Sequence, residues 1–122
     1  MIGYSTIGTN NPEKALAFYD ALLGSVGMTR IFDHPNGGAV YGKNGQVGFG
    51  VLSPFNGEPA TVGNGSMSGF ALDSREQVDD FHAKALALGA TNEGEPGLRG
   101  PEFYFSYLRD LEGNKLCAYK IG

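Results

Sequence analysis

The side chains that most often do chemistry are few in this chain of 122 residues, and they lie far apart along it. There are two histidines, His34 and His82, and one cysteine, Cys117. A nucleophilic cysteine needs a cationic or basic neighbour that lowers the pKa of its thiol, and a catalytic zinc site needs three convergent protein ligands. The sequence shows neither grouping, so we interpret Cys117 as a small buried hydrophobic residue.

Each histidine has a structural interpretation that is favoured over a catalytic one. His34 directly precedes Pro35, which biases its backbone towards an extended conformation at the start of a turn, and we expect it to be exposed. His82 follows Val78 on the apolar stripe of a predicted helix and lies one helical turn after Asp79. We therefore predict a packed His82 that can pair locally with Asp79.

The most aromatic segment of the chain is residues 103–107, Phe-Tyr-Phe-Ser-Tyr. Alternate side chains of a strand point to opposite faces of the sheet. This alternation places Phe103, Phe105 and Tyr107 on one face, and Tyr104 and Ser106 on the other. One face should belong to the core, and the other should line a cleft or a dimer contact. Alternation alone does not decide which face is which.

Composition argues against several classes of protein. The hydrophobic share of 41% and the charged share of 18% are those of an ordinary globular domain. The net charge of −4 and the scattered basic residues argue against nucleic-acid binding, which needs clustered Lys and Arg. A single cysteine allows no internal disulfide. The sequence shows no signal-peptide pattern and no apolar run of roughly 20 residues, so we expect no membrane association and a cytoplasmic location.

Two helix starts are marked clearly in the sequence. In the first, Asn11 can cap the helix and Pro12 suits its first turn, because the proline lacks a backbone N–H that would remain unpaired there. In the second, Ser74 and Gln77 have the spacing of a capping box. Apolar stripes at helical spacing follow both starts and predict two amphipathic helices.

Strands and turns account for the rest of the chain. The dipeptide Asn44-Gly45 predicts a tight hairpin, because both residues accept positive φ, and Pro96-Gly97 is expected to end a short strand. The predicted strands are residues 2–9, 28–33, 39–43, 46–52, 67–72, 90–93, 102–109 and 114–121.

These elements repeat in the order βαβββ. Module one is residues 1–53, a turn-rich linker is residues 54–66, and module two is residues 67–122. At an offset of 63 positions (76 − 13), Glu13 meets Glu76 and Phe18 meets Phe81. An internal repeat in register indicates a duplicated architecture.

Four segments resemble the vicinal oxygen chelate proteins, the group of glyoxalases, bleomycin-resistance proteins and extradiol dioxygenases. Residues 11–19 (NPEKALAFY) are similar to the first-helix motif of that group, and residues 77–86 (QVDDFHAKAL) resemble its second helix. Residues 96–99 (PGLR) and 110–115 (DLEGNK) are similar to a late loop and a hairpin turn. The resemblance covers essentially the whole chain. It implies an α+β fold in which two βαβββ modules form a curved mixed sheet, or half-barrel, around a cleft, commonly in a homodimer.

Enzymes of that group hold a divalent metal ion through His and Glu side chains on the first and last strands of each module. Carried over to this chain, three of those positions are Tyr4, Met67 and Cys117, and the fourth falls near Gly48 or Phe49, to within one residue. Zn, Ni, Mn and Fe ions favour imidazole, carboxylate or several thiolates over a phenol, a thioether and one thiol. We therefore expect no metal site and no cofactor.

The sequence thus predicts a metal-free protein that binds a small apolar or aromatic molecule in an aromatic-lined cleft. Tyr104 is added to the predicted site because the resemblance implies an aromatic residue there. The predicted ligand-binding residues are Tyr4, Phe49, Met67, Tyr104 and Cys117. One alternative is a metal-dependent lyase or an extradiol-type dioxygenase with non-standard ligands. Another is an interaction module whose cleft is filled by its own side chains.

Overall fold

The computed structural model describes residues 2–122, which divide into two compact units between Val62 and Gly63. The first unit contains β1 (Ser5–Gly8), α1 (Pro12–Gly24), β2 (Thr29–Asp33), β3 (Gly38–Lys43) and β4 (Gln46–Leu52). The second unit contains β5 (Ser68–Ala71), α2 (Arg75–Ala87), β6 (Thr91–Leu98), β7 (Phe103–Arg109) and β8 (Lys115–Ile121). The predicted α+β fold of two βαβββ modules is confirmed.

Each unit builds one four-stranded mixed sheet. The strand order is β1-β4-β3-β2 in the first sheet and β5-β8-β7-β6 in the second. The pairs β1–β4 and β5–β8 are parallel, and the remaining pairs are antiparallel. A parallel pair needs a long crossover, and in each unit the helix and two strands supply it.

One face of each sheet is packed against its helix. In the first unit, Tyr19 of α1 is buried against Phe49 of β4, with ring centroids 5.5 Å apart. In the second unit, Phe81 of α2 lies in a core with Leu108 and Leu116, all of them buried. Each such side chain contributes about 1.5–3 kcal/mol when it leaves water, so these helix-facing layers hold the units together.

The helix starts agree with their sequence signals, with one difference in detail. Asn11 Oδ1 accepts a hydrogen bond from the Lys14 N–H at 3.2 Å. Ser74 Oγ accepts from the Gln77 N–H at 3.1 Å, as a capping box requires. Gln77 Oε1, however, accepts from the N–H of Asp73 rather than from that of Ser74.

Strand β6 is longer than the sequence predicts. A strand was expected only over residues 90–93, with a break at Pro96-Gly97, but β6 continues to Leu98. It is an edge strand, so Pro96 needs no ladder partner on its outer side. The pairing register with β7 shifts between Asn92 and Gly94 and again between Gly94 and Gly97. Bulges of this kind absorb residues that do not fit a regular ladder.

Candidate functional site

The face of the second sheet that points away from α2 is rich in aromatic side chains. We call it the distal face of unit two. On β7 and β8, alternation and pairing place Phe103, Phe105, Tyr107, Cys117 and Tyr119 there. The neighbouring edges of this face are formed by Gly69 of β5 and by Gly94 and Gly97 of β6.

The rings on the distal face contact one another in a ladder. Phe105 stacks on Tyr119 with centroids 4.8 Å apart and an interplanar angle of 9°. Along β7, the Phe105 centroid lies 6.1 Å from that of Tyr107 and 6.5 Å from that of Phe103. Phe105, Tyr107 and Tyr119 are half-buried and Phe103 is exposed, so the ladder keeps part of its ring surface accessible. Such surfaces favour contact with other flat apolar groups.

Two cationic side chains lie against the Tyr107 ring. The Arg99 guanidinium carbon is 5.7 Å from the ring centroid, and Lys115 Nζ is 5.4 Å from it. Both distances are within the range of a cation–π contact. Both cations therefore border the ladder at Tyr107.

Two glycines of β6 make room for Arg99. A Cβ atom built on Gly94 would come within 3.3 Å of Arg99 Nη2, and one built on Gly97 within 3.2 Å of Nη1. A Cβ atom on Gly94 would also come within 3.1 Å of the Tyr107 ring, so a side chain at either glycine would make the neighbouring groups shift slightly. Arg99 Nη2 also donates a hydrogen bond to the Glu95 carbonyl at 2.6 Å, which fixes the orientation of the group.

The bulge that carries these glycines is held by Asn92. Its Oδ1 accepts from the Gly94 N–H at 3.0 Å, and its Nδ2 donates to Glu95 Oε1 at 2.9 Å. His82 is buried on α2, and its Nε2 lies 3.1 Å from the same Asn92 Oδ1. The packed environment predicted for His82 is thus found, but its partner is Asn92, and Asp79 bonds elsewhere.

Cys117 lies beneath the ladder and is only 2% exposed. Burial raises the pKa of its thiol above the usual value, and the nearby Lys115 opposes that shift without reversing it. At neutral pH the side chain is therefore a thiol rather than a thiolate, which makes it a poor nucleophile and a poor metal ligand.

Tyr104 lies on the opposite face of β7, where it contacts α2. Its hydroxyl donates a 2.6 Å hydrogen bond to Asp79 Oδ1, and the Arg75 guanidinium carbon lies 5.4 Å from its ring centroid. The hydrogen bond to Asp79 raises the pKa of the Tyr104 phenol. Tyr104 was predicted to line a cleft, and its side chain lies on the helix-facing side of β7. The aromatic residues of the distal face are Phe103, Phe105 and Tyr107 on the same strand, together with Tyr119 on β8.

Phe49 occupies the corresponding helix-facing layer of unit one. Its ring is buried against Tyr19 of α1, so a ligand on the other face of that sheet would not contact it. Strand pairing also identifies the true counterpart of Cys117. Cys117 is paired with Gly69, and the equivalent pair in unit one is Gly50 with Thr6. The position expected near Gly48 or Phe49, to within one residue, is therefore Gly50, which offers no side chain.

Tyr4 and Met67 both lie immediately before the first strand of their unit. Tyr4 is 53% exposed and Met67 is 49% exposed. Of the three ligand-binding residues predicted in unit two, only Cys117 lies within a strand on the distal face. Tyr4 and Phe49 belong to unit one.

The donor set at the metal positions of the fold does not suit a divalent ion. The positions hold a phenol at Tyr4, a thioether at Met67, a protonated thiol at Cys117 and no side chain at Gly50. Divalent transition metals need imidazole, carboxylate or thiolate donors. Within residues 2–122, no three His, Cys, Asp or Glu side chains come together in a way that could hold a metal ion.

Unit one has a separate groove of about 430 Å³ beside β1. Hydrogen bonds between the Asn10 side chain and the backbone of Ala60, at 2.7 and 3.1 Å, hold the segment after β4 against that strand. The lining includes Thr6, Gly8, His34, Leu52, Phe55 and Ala60. His34 is half-buried there rather than fully exposed, and its Nδ1 accepts from the Asn36 N–H at 3.2 Å. None of the five predicted ligand-binding residues lines this groove.

A second network in unit one joins α1 to β2 and β3. The Arg30 guanidinium donates two hydrogen bonds to the Asp20 carboxylate, at 2.8 and 2.7 Å, and the Tyr41 hydroxyl donates a third at 2.7 Å. The Arg30 hydrogen bonds lower the pKa of Asp20. Burial and the hydrogen bond to Asp20 raise the pKa of Tyr41. We interpret this network as structural, because its groups satisfy one another.

No helix among the described residues is long and apolar enough to cross a membrane. The chain matches no functionally curated protein at a significant level.

The sequence and the fold both match known structures. A glyoxalase/bleomycin resistance protein from Albidiferax ferrireducens T118 is 42% identical, with a TM-score of 0.88, over 100% of this chain and 99% of that one. A glyoxalase/bleomycin resistance protein/dioxygenase family enzyme from Burkholderia phytofirmans PsJN is 22% identical, with a TM-score of 0.79, and 98% of each chain is covered.

A lactoylglutathione lyase from Agrobacterium tumefaciens is 22% identical, with a TM-score of 0.69, over 98% of this chain and 92% of that one. At such identity the likeness shows the fold alone. The family model described as Glyoxalase/Bleomycin resistance protein/Dioxygenase superfamily matches residues 1–118. The chain therefore belongs to the glyoxalase/bleomycin resistance protein/dioxygenase superfamily.

Proposed function

We propose that the chain is a metal-free protein that binds a small planar or aromatic molecule on the distal face of unit two. The observation that carries this proposal is the aromatic ladder of Phe103, Phe105, Tyr107 and Tyr119. Exposed rings cost free energy in water, and a sheet face rich in them indicates contact with a ligand or with a partner surface. Flat apolar ligands recover that cost by covering the rings.

The residues at the fold's metal positions support a role without metal chemistry. A lyase or a dioxygenase of this family uses its metal ion to chelate neighbouring substrate oxygens, and that step needs firm His and Glu ligands. The phenol, thioether and buried thiol found here do not replace them. Binding without turnover is the function that this side-chain chemistry supports best.

Calorimetric titration tests the proposal with planar aromatic compounds and saturated rings of equal size. We expect the planar compounds to bind and the saturated ones to bind more weakly. Phe105→Leu should weaken binding roughly 2- to 10-fold, the value of one aromatic contact. Tyr104→Phe is the matched control, because it changes a ring on the opposite face of the same strand. Equal affinity for wild type and Phe105→Leu would move the site away from the ladder.

Elemental mass spectrometry of the purified protein separates this function from the metal-dependent alternative. After incubation with Zn²⁺, Ni²⁺, Mn²⁺ or Fe²⁺ and dialysis, we expect no ion to remain at one per chain. A stoichiometric ion that also supports lyase or dioxygenase turnover would overturn the proposal in favour of an enzyme with non-standard ligands.

We also propose a homodimer in the cytoplasm, as the resemblance to small members of the family implies. Light scattering after size exclusion should give twice the chain mass of 12.9 kDa. A monomeric mass at micromolar concentration would contradict the dimer and leave the ligand proposal standing.

A further inference from the structure

His82 is a buried polar residue of α2 that lies outside the ligand face. It is 2% exposed, and its Nε2 is 3.1 Å from Asn92 Oδ1 on β6. Two other contacts fix the orientation of the Asn92 amide, because its Nδ2 donates to Glu95 Oε1 and its Oδ1 accepts from the Gly94 N–H. An amide oxygen can only accept, so His82 Nε2 carries a proton and donates it to Asn92.

Asn92 stands at the start of a bulge in β6. It is paired with Leu108, a buried residue of the helix-facing layer. Gly94 is paired with Tyr107, a member of the ladder on the distal face. Two steps along β6 therefore match one step along β7, whereas a regular strand would match them one to one. The bulge thus lets a side chain on the helix side of the sheet hold the backbone that borders the distal face.

At Gly94 the backbone of β6 lies close against the Tyr107 ring. A Cβ atom built on Gly94 would be 3.1 Å from Tyr107 Cδ2, which is closer than the ordinary contact distance of two carbon atoms. This segment of β6 therefore forms a wall of the ladder at that ring. Its position is set by the Asn92 side chain, and His82 is one of the three partners that orient that side chain.

Unit one has an equivalent contact between its helix and its bulged edge strand. The pairing register of β2 with β3 shifts between Arg30 and Phe32. Arg30 donates two hydrogen bonds to Asp20 of α1, at 2.8 and 2.7 Å. In both units, then, a helix side chain binds the residue that begins the bulge. This recurrence indicates that the contact places the edge strand.

We propose that His82 is a positioning residue for the aromatic ladder. Through Asn92 it holds the β6 backbone against the Tyr107 ring, and so it sets the surface that a planar ligand contacts. This inference rests on the proposed function, and it adds a determinant of affinity that does not touch the ligand. Without the His82 N–H, the Asn92 amide keeps two partners instead of three, and the bulge is held less firmly. Part of the binding energy is then spent on ordering the wall when the ligand binds.

Variants of His82 with and without a suitably placed N–H test this role by calorimetric titration with 2-naphthol. Glutamine carries its amide nitrogen at about the reach of the histidine Nε2, so His82→Gln should bind 2-naphthol as wild type does. His82→Leu is apolar and has no donor, and it should bind roughly 2- to 10-fold more weakly, the value of one aromatic contact. Asn92→Ala removes the acceptor at an exposed position and should weaken binding similarly, which keeps the test decisive if His82→Leu folds poorly.

Asp20→Asn is the matched control, because it weakens the equivalent contact in unit one. It should lower stability and leave the affinity for 2-naphthol unchanged. Hydrogen exchange of the Gly94 amide, measured without ligand, gives a second readout that does not depend on binding. This amide should exchange at least about 10-fold faster in His82→Leu than in wild type or His82→Gln, because the bulge opens more often.

The outcomes are distinct. Unchanged affinity in His82→Leu would overturn the positioning role and leave the aromatic-binding function intact. Equal weakening in His82→Leu and Asp20→Asn would also overturn it, because a general loss of stability would then explain both. If wild type does not bind 2-naphthol while Gly94 exchange responds to His82→Leu as expected, the proposed function fails and His82 still positions β6. If neither binding nor a change in exchange is seen, both proposals fail.

Discussion

Gly69 and Cys117 lie side by side on the distal face of unit two, and a Cβ atom built on Gly69 would be 2.9 Å from Cys117 Sγ. Real Cβ atoms do not approach sulfur that closely. Gly69→Ala should therefore force the strand or the ladder to shift and lower the free energy of unfolding by about 1–3 kcal/mol, as over-packing typically does. Urea denaturation followed by circular dichroism measures the change.

Two controls make the Gly69 prediction specific. Gly24→Ala places a methyl group where nothing lies within 4 Å, in the last turn of α1, so it should be neutral or stabilising by up to about 1 kcal/mol. The double variant Gly69→Ala/Cys117→Ala removes the sulfur and should recover much of the lost stability. A double variant as unstable as the sum of its single changes would show that the strain lies elsewhere.

Cys117 should be unreactive in the folded protein. Burial raises the pKa of its thiol, so the thiolate fraction at pH 7–8 is small and access is limited as well. We expect a thiol-specific chromogenic reagent to react slowly with the native protein and rapidly in denaturant. Rapid labelling of the native protein at pH 7 would contradict this arrangement and reopen a role for the thiol in catalysis.

The Asp20 network should make unit one sensitive to acid. Because hydrogen bonds from Arg30 lower the pKa of Asp20 in the folded state, its stabilising effect is present above about pH 4 and is lost as the pH falls through the lowered value. Asp20 is partly exposed, so the effect should remain below about 1 kcal/mol.

The measurement for Asp20 is the urea midpoint at pH 7 and at pH 3 for wild type and Asp20→Asn. The variant should be less stable at pH 7, and the difference should shrink at pH 3. Asp33→Asn is the control, because that carboxylate makes a single 3.0 Å contact with Arg30 and is far more exposed. A difference for Asp20→Asn that stays constant with pH would show that the charge is not involved.

Tyr104 should affect stability without affecting ligand binding. Tyr104→Phe removes the hydrogen bond to Asp79 and should cost about 0.5–1.5 kcal/mol, while the affinity for planar aromatic compounds should not change. Spectroscopic titration of the tyrosines supplies a second readout. Asp79→Asn should lower the pKa of the Tyr104 phenol, because the carboxylate that raises it is gone. A weaker ligand affinity in Tyr104→Phe would place the ligand on the helix-facing side instead.

The sequence predicts the elements of this fold well because local signals mark their ends. Asn11 and Ser74 cap the helices as expected, and Asn44 and Gly45 take the positive φ values that their hairpin requires. The internal repeat then indicates the order βαβββ in each half. The full length of strand β6 was not predicted, because an edge strand tolerates a proline that would interrupt a central strand.

The site was harder to predict because it depends on which face of a sheet its helix covers. Alternation separates Tyr104 from Phe105 correctly, but only the packing of α2 shows that Tyr104 faces the helix. Local sequence also does not show which residues of two parallel strands are paired with each other. For that reason the counterpart of Cys117 could be placed only near Gly48 or Phe49, to within one residue, and strand pairing is needed to assign it to Gly50. The contacts of Arg99 and Lys115 with the Tyr107 ring could not be predicted, because the folding of β6, β7 and β8 brings residues that are distant in sequence to one ring.

The matched pairing of Thr6 with Gly50 and of Gly69 with Cys117 has a consequence for protein engineering. Because the two units have the same backbone arrangement, these positions are equivalent in both units even though their side chains differ. Met67→His would place an imidazole immediately before β5, and Cys117→Glu would place a carboxylate on β8, the strand that pairs with β5. The side chains at these positions, and not the path of the backbone, are what would have to change to build the family's metal ligands on this chain.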